Sequence, residues 1–138
     1  MLFGVLAASV ILLSGCLPDP QRLQLQQRLA QLAVARLGLQ QSPPQTTSNC
    51  DQVADVKSHL AGEPGLVNEQ PAWSELRASV DALQAVCGQA VLLEQPAADS
   101  AVLVAARARW QQGIQRELLI ACEHLRRAAA ALGNAPPC

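Results

Sequence analysis

Trp73-Ser74-Glu75-Leu76-Arg77-Ala78-Ser79-Val80-Asp81-Ala82-Leu83-Gln84-Ala85-Val86-Cys87 sets Trp73, Leu76, Val80, Leu83 and Cys87 at spacings of three and four. That interval keeps them on one face of an α-helix, and Arg77, Asp81 and Gln84 turn away from it. Pro71 suits the first turn of this helix, Gly88 bends it or lets it end near Leu93, and Gln95-Pro96 closes the segment.

The segments on either side read the same way. Downstream, Asp99 or Ser100 can cap a last helix that runs to Leu132 and stops at Gly133-Asn134. Its stripe is Trp110, Ile114, Leu118, Ala121, Leu125, Ala128 and Leu132, broadened by Cys122. At 1.5 Å per residue the element is roughly 50 Å long, so it either projects beyond its neighbours or breaks at Gly113. Upstream, Ser48 and Asp51 look like a capping arrangement that starts a short helix near Cys50, with Val53, Val56 and Leu60 on its apolar face and Gly62, Pro64 and Gly65 ending it. Residues 40–49 form a breaker-rich linker, before which a first helix is expected from about Arg22 to Leu39, with Leu25, Leu29, Leu32, Ala33 and Leu37 on its stripe and Gln24, Gln27, Arg28 and Gln31 mostly off it. The linker allows residues 22–39 to be loosely attached. The chain is rich in Ala, Leu and Gln, with one Phe and no Tyr, and these residues lose little on entering a helix.

Cysteine placement constrains the packing of these helices. If the last two helices form a hairpin centred near residue 97, Cys122 lies roughly 22 Å along the axis from the level of Cys87, beyond the about 7 Å a disulfide allows. Around a loop centred near residue 66, the position opposite Cys50 is about 82, within about 8 Å of Cys87. Cys122 lies about 15 Å before Leu132, and six extended residues of tail span about 20 Å, so Cys138 can fold back onto it. The expected pairs are Cys50 with Cys87 and Cys122 with Cys138.

The amino-terminal segment differs in kind. Phe3 to Leu13 is apolar and uncharged, and Leu13-Ser14-Gly15-Cys16 ends it with two small residues and a cysteine. It is too short for a spanning helix, which needs about 20 apolar residues. It resembles the signal of a bacterial lipoprotein, departing from that pattern in having no Lys or Arg before Arg22. The resemblance implies cleavage before Cys16, a diacylglycerol on its sulfur and an acyl chain on its new amine. Two chains already suffice for stable anchoring, at roughly 0.8 kcal/mol per buried methylene. In Gram-negative lipoproteins an Asp after the cysteine tends to retain the protein in the inner membrane; with Leu17 there, the outer membrane, periplasmic face, is implied. Export into an oxidising compartment makes the remaining four cysteines two disulfides.

The fold expected from the sequence is therefore all-α, a small disulfide-bonded helical bundle behind a lipoprotein signal peptide. Residues 1–15 are the signal, 16–21 a short lipidated spacer stiffened by Pro18 and Pro20, and 22–138 the helical domain.

Net charge is −1 and no basic run exceeds Arg126-Arg127, so no electrostatic footprint for nucleic acid is present. The sequence contains no Gly-rich phosphate loop, no Gly-x-Ser-x-Gly, no Cys-x-x-Cys and no His-Glu-x-x-His. Glu123-His124 points its two side chains about 100° apart, and His59 reads as a surface residue. An enzyme, a metal or a cofactor beyond the acyl chains on Cys16 is not expected. Small helical lipoproteins with cysteines inside the helical domain are similar to the pilotins of type II secretion systems, which implies an envelope partner, a disordered carboxy-terminal segment of a secretin. The other reading is a structural or stress-related envelope lipoprotein whose Gln-rich first helix associates with itself or with peptidoglycan-associated proteins. A partner groove is expected between the Trp73–Cys87 and Trp110–Leu132 stripes, with Leu103, Trp110, Leu118 and Leu119 as partner-binding residues.

Replacing Cys16 by Ser is expected to abolish palmitate labelling and to release the chain from the outer-membrane fraction. A mutant that stays with that membrane and still labels removes the anchor reading.

Overall fold

A computed structural model of the chain describes residues 19–41, 44–62, 70–94 and 100–138, and these form four helices with no strand among them. They are α1 (Pro20–Leu39), α2 (Thr47–Gly62), α3 (Gln70–Leu93) and α4 (Ala101–Leu132). The fold is an all-α, disulfide-bonded bundle. Cys16 and the rest of the expected signal lie outside the described residues.

Each end has a local cause. The Asp19 carboxylate accepts from the Gln21 N–H at 2.9 Å, and Pro20 occupies the first turn, where its missing N–H costs nothing. The helix thus starts two residues before the expected Arg22, inside what was expected to be spacer. α2 likewise starts at Thr47 rather than near Cys50, since the Thr46 carbonyl already accepts from the Cys50 N–H at 2.7 Å. Ser100 caps α4 through the Leu103 N–H at 3.2 Å. Gly133, at φ 71°, ends it with its own N–H on Ala130 and that of Asn134 on Ala129, a reversal that glycine adopts without strain.

Consecutive helices run antiparallel, as cross-helix pairs show. Arg107 Nη2 donates to the Leu93 carbonyl at 2.9 Å, Ser79 Oγ to the Ala121 carbonyl at 3.4 Å, and His124 Nδ1 stands 2.6 Å from Glu75 Oε2. The midpoint of 93 and 107 is 100, three residues later than the expected hairpin centre. α4 is continuous through Gly113, so of the two expected outcomes it is projection that occurs. A Cβ at Gly113 would lie 2.3 Å from Gln89 Oε1, so a larger residue there would displace the end of the Gln89 side chain. Residues 101–106 extend beyond Leu93 by about 9 Å. α1 lies against α4 through Arg36 Nε, which donates to the Leu118 carbonyl at 2.9 Å, and Gln26 Nε2, which donates to the Leu132 carbonyl at 3.2 Å.

The core is a single cluster of Leu, Val, Ile and Ala from all four helices. From α3 and α4 come Leu76, Val80, Leu83, Ile114, Leu118 and Leu125, with Val53, Val56 and Leu60 from α2. The 40–49 linker does not set α1 apart, since Leu25, Leu29, Leu32, Ala35 and Leu39 are buried in the same cluster. The α1 stripe departs from expectation: Leu37 is exposed, Ala33 is only half-buried, and Arg28, Ala35 and Arg36 are inside. Steps of four advance 400° each, so a run 25-29-33-37 drifts about 40° per step off the core, while mixed steps of three and four stay on it.

Cys50 pairs with Cys87 and Cys122 with Cys138, each with Cα atoms 5.9 Å apart. Both pairs are those expected. Loops of 37 and 16 residues contribute about 4 and about 3 kcal/mol in the chain-entropy account. Replacing Cys50 and Cys87 together by Ser is therefore expected to lower urea-unfolding stability more than replacing Cys122 and Cys138. The reverse order would show that the tail pair carries native-state contacts beyond loop closure.

Candidate binding surfaces

The groove expected between the two long stripes is closed. Leu76, Val80 and Leu83 of α3 share one cluster with Ile114, Leu118 and Leu125 of α4. Leu118, expected to bind a partner, is 2 % exposed and belongs to the core; its place in the stripe points it at α1 and α3. Leu119, one residue on and turned by about 100°, is 68 % exposed. Leu103 is 38 % exposed on the projecting turns of α4, and Trp110 is half-buried lower down the same helix. The four residues do not converge on one site.

Trp73 is held at the edge of the core, where its Nε1–H donates to the Leu60 carbonyl at 3.1 Å and the Arg77 guanidinium lies 5.0 Å from its ring. This ties the carboxy-terminal end of α2 to α3. His124, adjacent in sequence to Glu123, pairs instead with Glu75 across the helices, while Glu123 accepts from Arg127 Nη2 at 2.6 Å. His59 Nδ1 lies 2.8 Å from the Asp55 carbonyl on its own helix.

The space that is open lies higher. Because α4 outruns α1, a groove of about 620 Å³ is left where α1 ends. Leu39, Pro44, Leu93, Ala108 and Ile114 form its apolar floor, with Gln40, Gln41, Gln111, Gln112 and Gln115 around it. None of these carries a charge. The sequence shows the glutamine pairs, yet the groove depends on the level at which α1 stops against α4, which no local pattern records. Val102, Leu103 and Val104 lie exposed on the turns above it, and Val91 is exposed on α3.

Arg36 sets that level. Its side chain is almost wholly buried, Nη1 donates to Gln40 Oε1 at 3.3 Å, and burial, then the nearby Arg126, pushes its pKa below the ordinary arginine value. Its place in the sequence between Ala35 and Leu37 gives no sign of this role.

Among the described residues no three His, Cys, Asp or Glu side chains are grouped to hold a metal, and no helix is long and apolar enough to cross a membrane. No protein-family model matches the chain, and neither a curated protein nor a solved structure matches it.

The neighbours Leu118 and Leu119 give a direct contrast. Leu118→Ala is expected to cost about 2–5 kcal/mol in chemical unfolding, as for a buried leucine, whereas Leu119→Glu should change stability by no more than about 0.5 kcal/mol. Equal losses would place Leu119 in the core.

Proposed function

We propose that this chain is a lipid-anchored, non-enzymatic binding protein of the bacterial outer membrane, facing the periplasm, that holds a segment of another envelope protein in the groove above α1. The anchor rests on the Leu13-Ser14-Gly15-Cys16 sequence. The observation that carries the binding role is the uncharged groove itself, with apolar side chains uncovered beside it on the projecting turns of α4. Apolar surface that adjoins a cleft marks an interaction site more often than scattered exposed residues do.

The occupant that fits is an amphipathic helical segment with a neutral polar edge. Its apolar face would cover Leu93 and Ala108, as in helix-in-groove recognition. The surrounding glutamine amides both donate and accept, so they can satisfy the segment's polar groups without selecting a charge. A carboxy-terminal segment of a secretin, the pilotin cargo, is such an occupant. Self-association is the second reading, favoured by the outer face of α1.

A synthetic peptide of the secretin carboxy-terminal segment from the same bacterium is expected to bind the full chain. Ala108→Arg places a charge at an exposed groove position and should weaken that binding about tenfold or more, equivalent to about 1.4 kcal/mol. Ala54→Arg, on the exposed side of α2, should leave it unchanged. No binding of the peptide by the unmodified chain removes the pilotin reading, and binding insensitive to Ala108→Arg moves the site elsewhere.

A further inference from the structure

Residues 133–138, which follow α4, form a strap. Gly133 reverses the chain, residues 133–136 are exposed, and the strap returns along α4 until Cys138 meets Cys122. Besides that disulfide it is held by exposed hydrogen bonds, in which Gln26 Nε2 donates to Asn134 Oδ1 at 2.7 Å and Arg126 Nε to the Cys138 carbonyl at 2.6 Å. Cys50 and Cys87 differ, since each sits on a helix and packs against the core.

Cations flank the strap's disulfide. Arg36 Nε donates at 2.9 Å to the Leu118 carbonyl, and the same carbonyl accepts from the Cys122 N–H along α4. Arg126 stands one turn beyond Cys122. Burial, and then Arg126, lowers the affinity of Arg36 for its proton, so the two guanidinium groups act on one another at this level of the bundle. The acids of this region are engaged elsewhere or turned away. Glu123 holds Arg127, Glu75 of α3 holds His124, and Glu117 points about 140° from Cys122 around the helix. Beside the other pair lie carboxylates, with Asp51 next to Cys50 and Glu94 bonded to Thr46 one turn before it.

The geometry points to Cys122–Cys138 as a thiol-exchange site, at which a small soluble thiol becomes joined to Cys138 while Cys122 departs as a thiolate between Arg36 and Arg126. The inference goes beyond the groove reading and does not depend on it. The electrons balance without an oxidant. The incoming thiolate forms a bond to Cys138 Sγ, the Cys122–Cys138 bond breaks, and its electron pair passes to Cys122 Sγ, so one disulfide replaces another. Cys138 is the residue attacked because it is half-buried, whereas Cys122 is 6 % exposed. A better leaving thiolate departs faster, and neighbouring guanidinium groups favour the thiolate. The strap can then swing clear, because it contributes nothing to the core, and Cys122 is left without a nearby partner to reverse the step. At Cys50–Cys87 the packed helices keep both sulfurs together at high effective concentration, so a broken bond re-forms.

The test treats the oxidised full chain with reduced glutathione, quenches with N-ethylmaleimide and reads tryptic fragments by mass spectrometry. Glutathione is expected on Cys138 in fragment 128–138 and maleimide on Cys122 in fragment 117–126, with Cys50–Cys87 intact. Arg126→Gln separates two roles, because it removes a cation beside the leaving sulfur and also a bond that holds the strap. A purely structural Arg126 makes the variant exchange faster. A leaving-group role makes it about threefold slower, with glutathione and with neutral 2-mercaptoethanol alike, and without a change in thermal unfolding. Arg127→Gln should exchange like the unmodified chain. Glutathione on Cys122, equal loss of both disulfides, or an Arg126→Gln variant that is not slowed overturns the inference.

Discussion

The close approach of α3 and α4 is the constraint on which the other helices depend. It is made by small residues, Ala72, Ser79, Ala82 and Ala90 on one helix and Gly113, Ala121 and Ala128 on the other, all in or beside the core. Small side chains let two backbones draw near, and long facing stretches then bury together. The approach carries a cost at Gln89, whose Oε1 lies buried against Gly113 without a hydrogen-bond partner among the described residues. Neither disulfide joins these two helices. Cys50–Cys87 ties α3 to α2, and Cys122–Cys138 ties α4 to the tail. Covalent links thus fall where burial is thinnest: α2 offers the core only Val53, Val56 and Leu60, and its other end is secured by the Trp73 hydrogen bond to Leu60.

α1 is attached on different terms. Its leucines enter the core, but its height against α4 is pinned by a buried cation, Arg36, on the Leu118 carbonyl. A guanidinium has donors to spare, and a helix carbonyl retains a second lone pair after its intrahelical bond, so the contact forms without opening α4. Burial first, and then Arg126, lowers the affinity of Arg36 for its proton. The helix is therefore held by a polar contact at the end where the groove opens and by Gln26, bonded to Leu132 and Asn134, at the other.

Much of this fold is legible in the sequence because it is governed by local period. The stripes of α3 and α4, the Ser100 and Gly133 ends and both cysteine pairs follow from spacings of three and four and from simple lengths. What is not legible depends on where one helix stands against another. The α1 stripe from Leu25 to Leu37 fits helical period over two turns and drifts by the fourth. Leu118 and Leu119 are indistinguishable as neighbours until the α1–α4 contact decides which of them is covered. Residues 101–106 look like core material by composition, yet they lie past the end of α3, and only the register shows it. The same uncertainty of level hides the groove, whose lining comes from the ends of α1 and α3, the linker and the middle of α4.

The groove lies at the carboxy-terminal end of α1, beyond Leu39. α1 has 20 residues, so the groove stands about 30 Å from its start. A lipid on Cys16 would place the start of α1 next to the bilayer, because only Leu17, Pro18 and Asp19 intervene. The helix then acts as a strut. Its inner face packs the bundle, and its length would set how far from the membrane a bound segment is held.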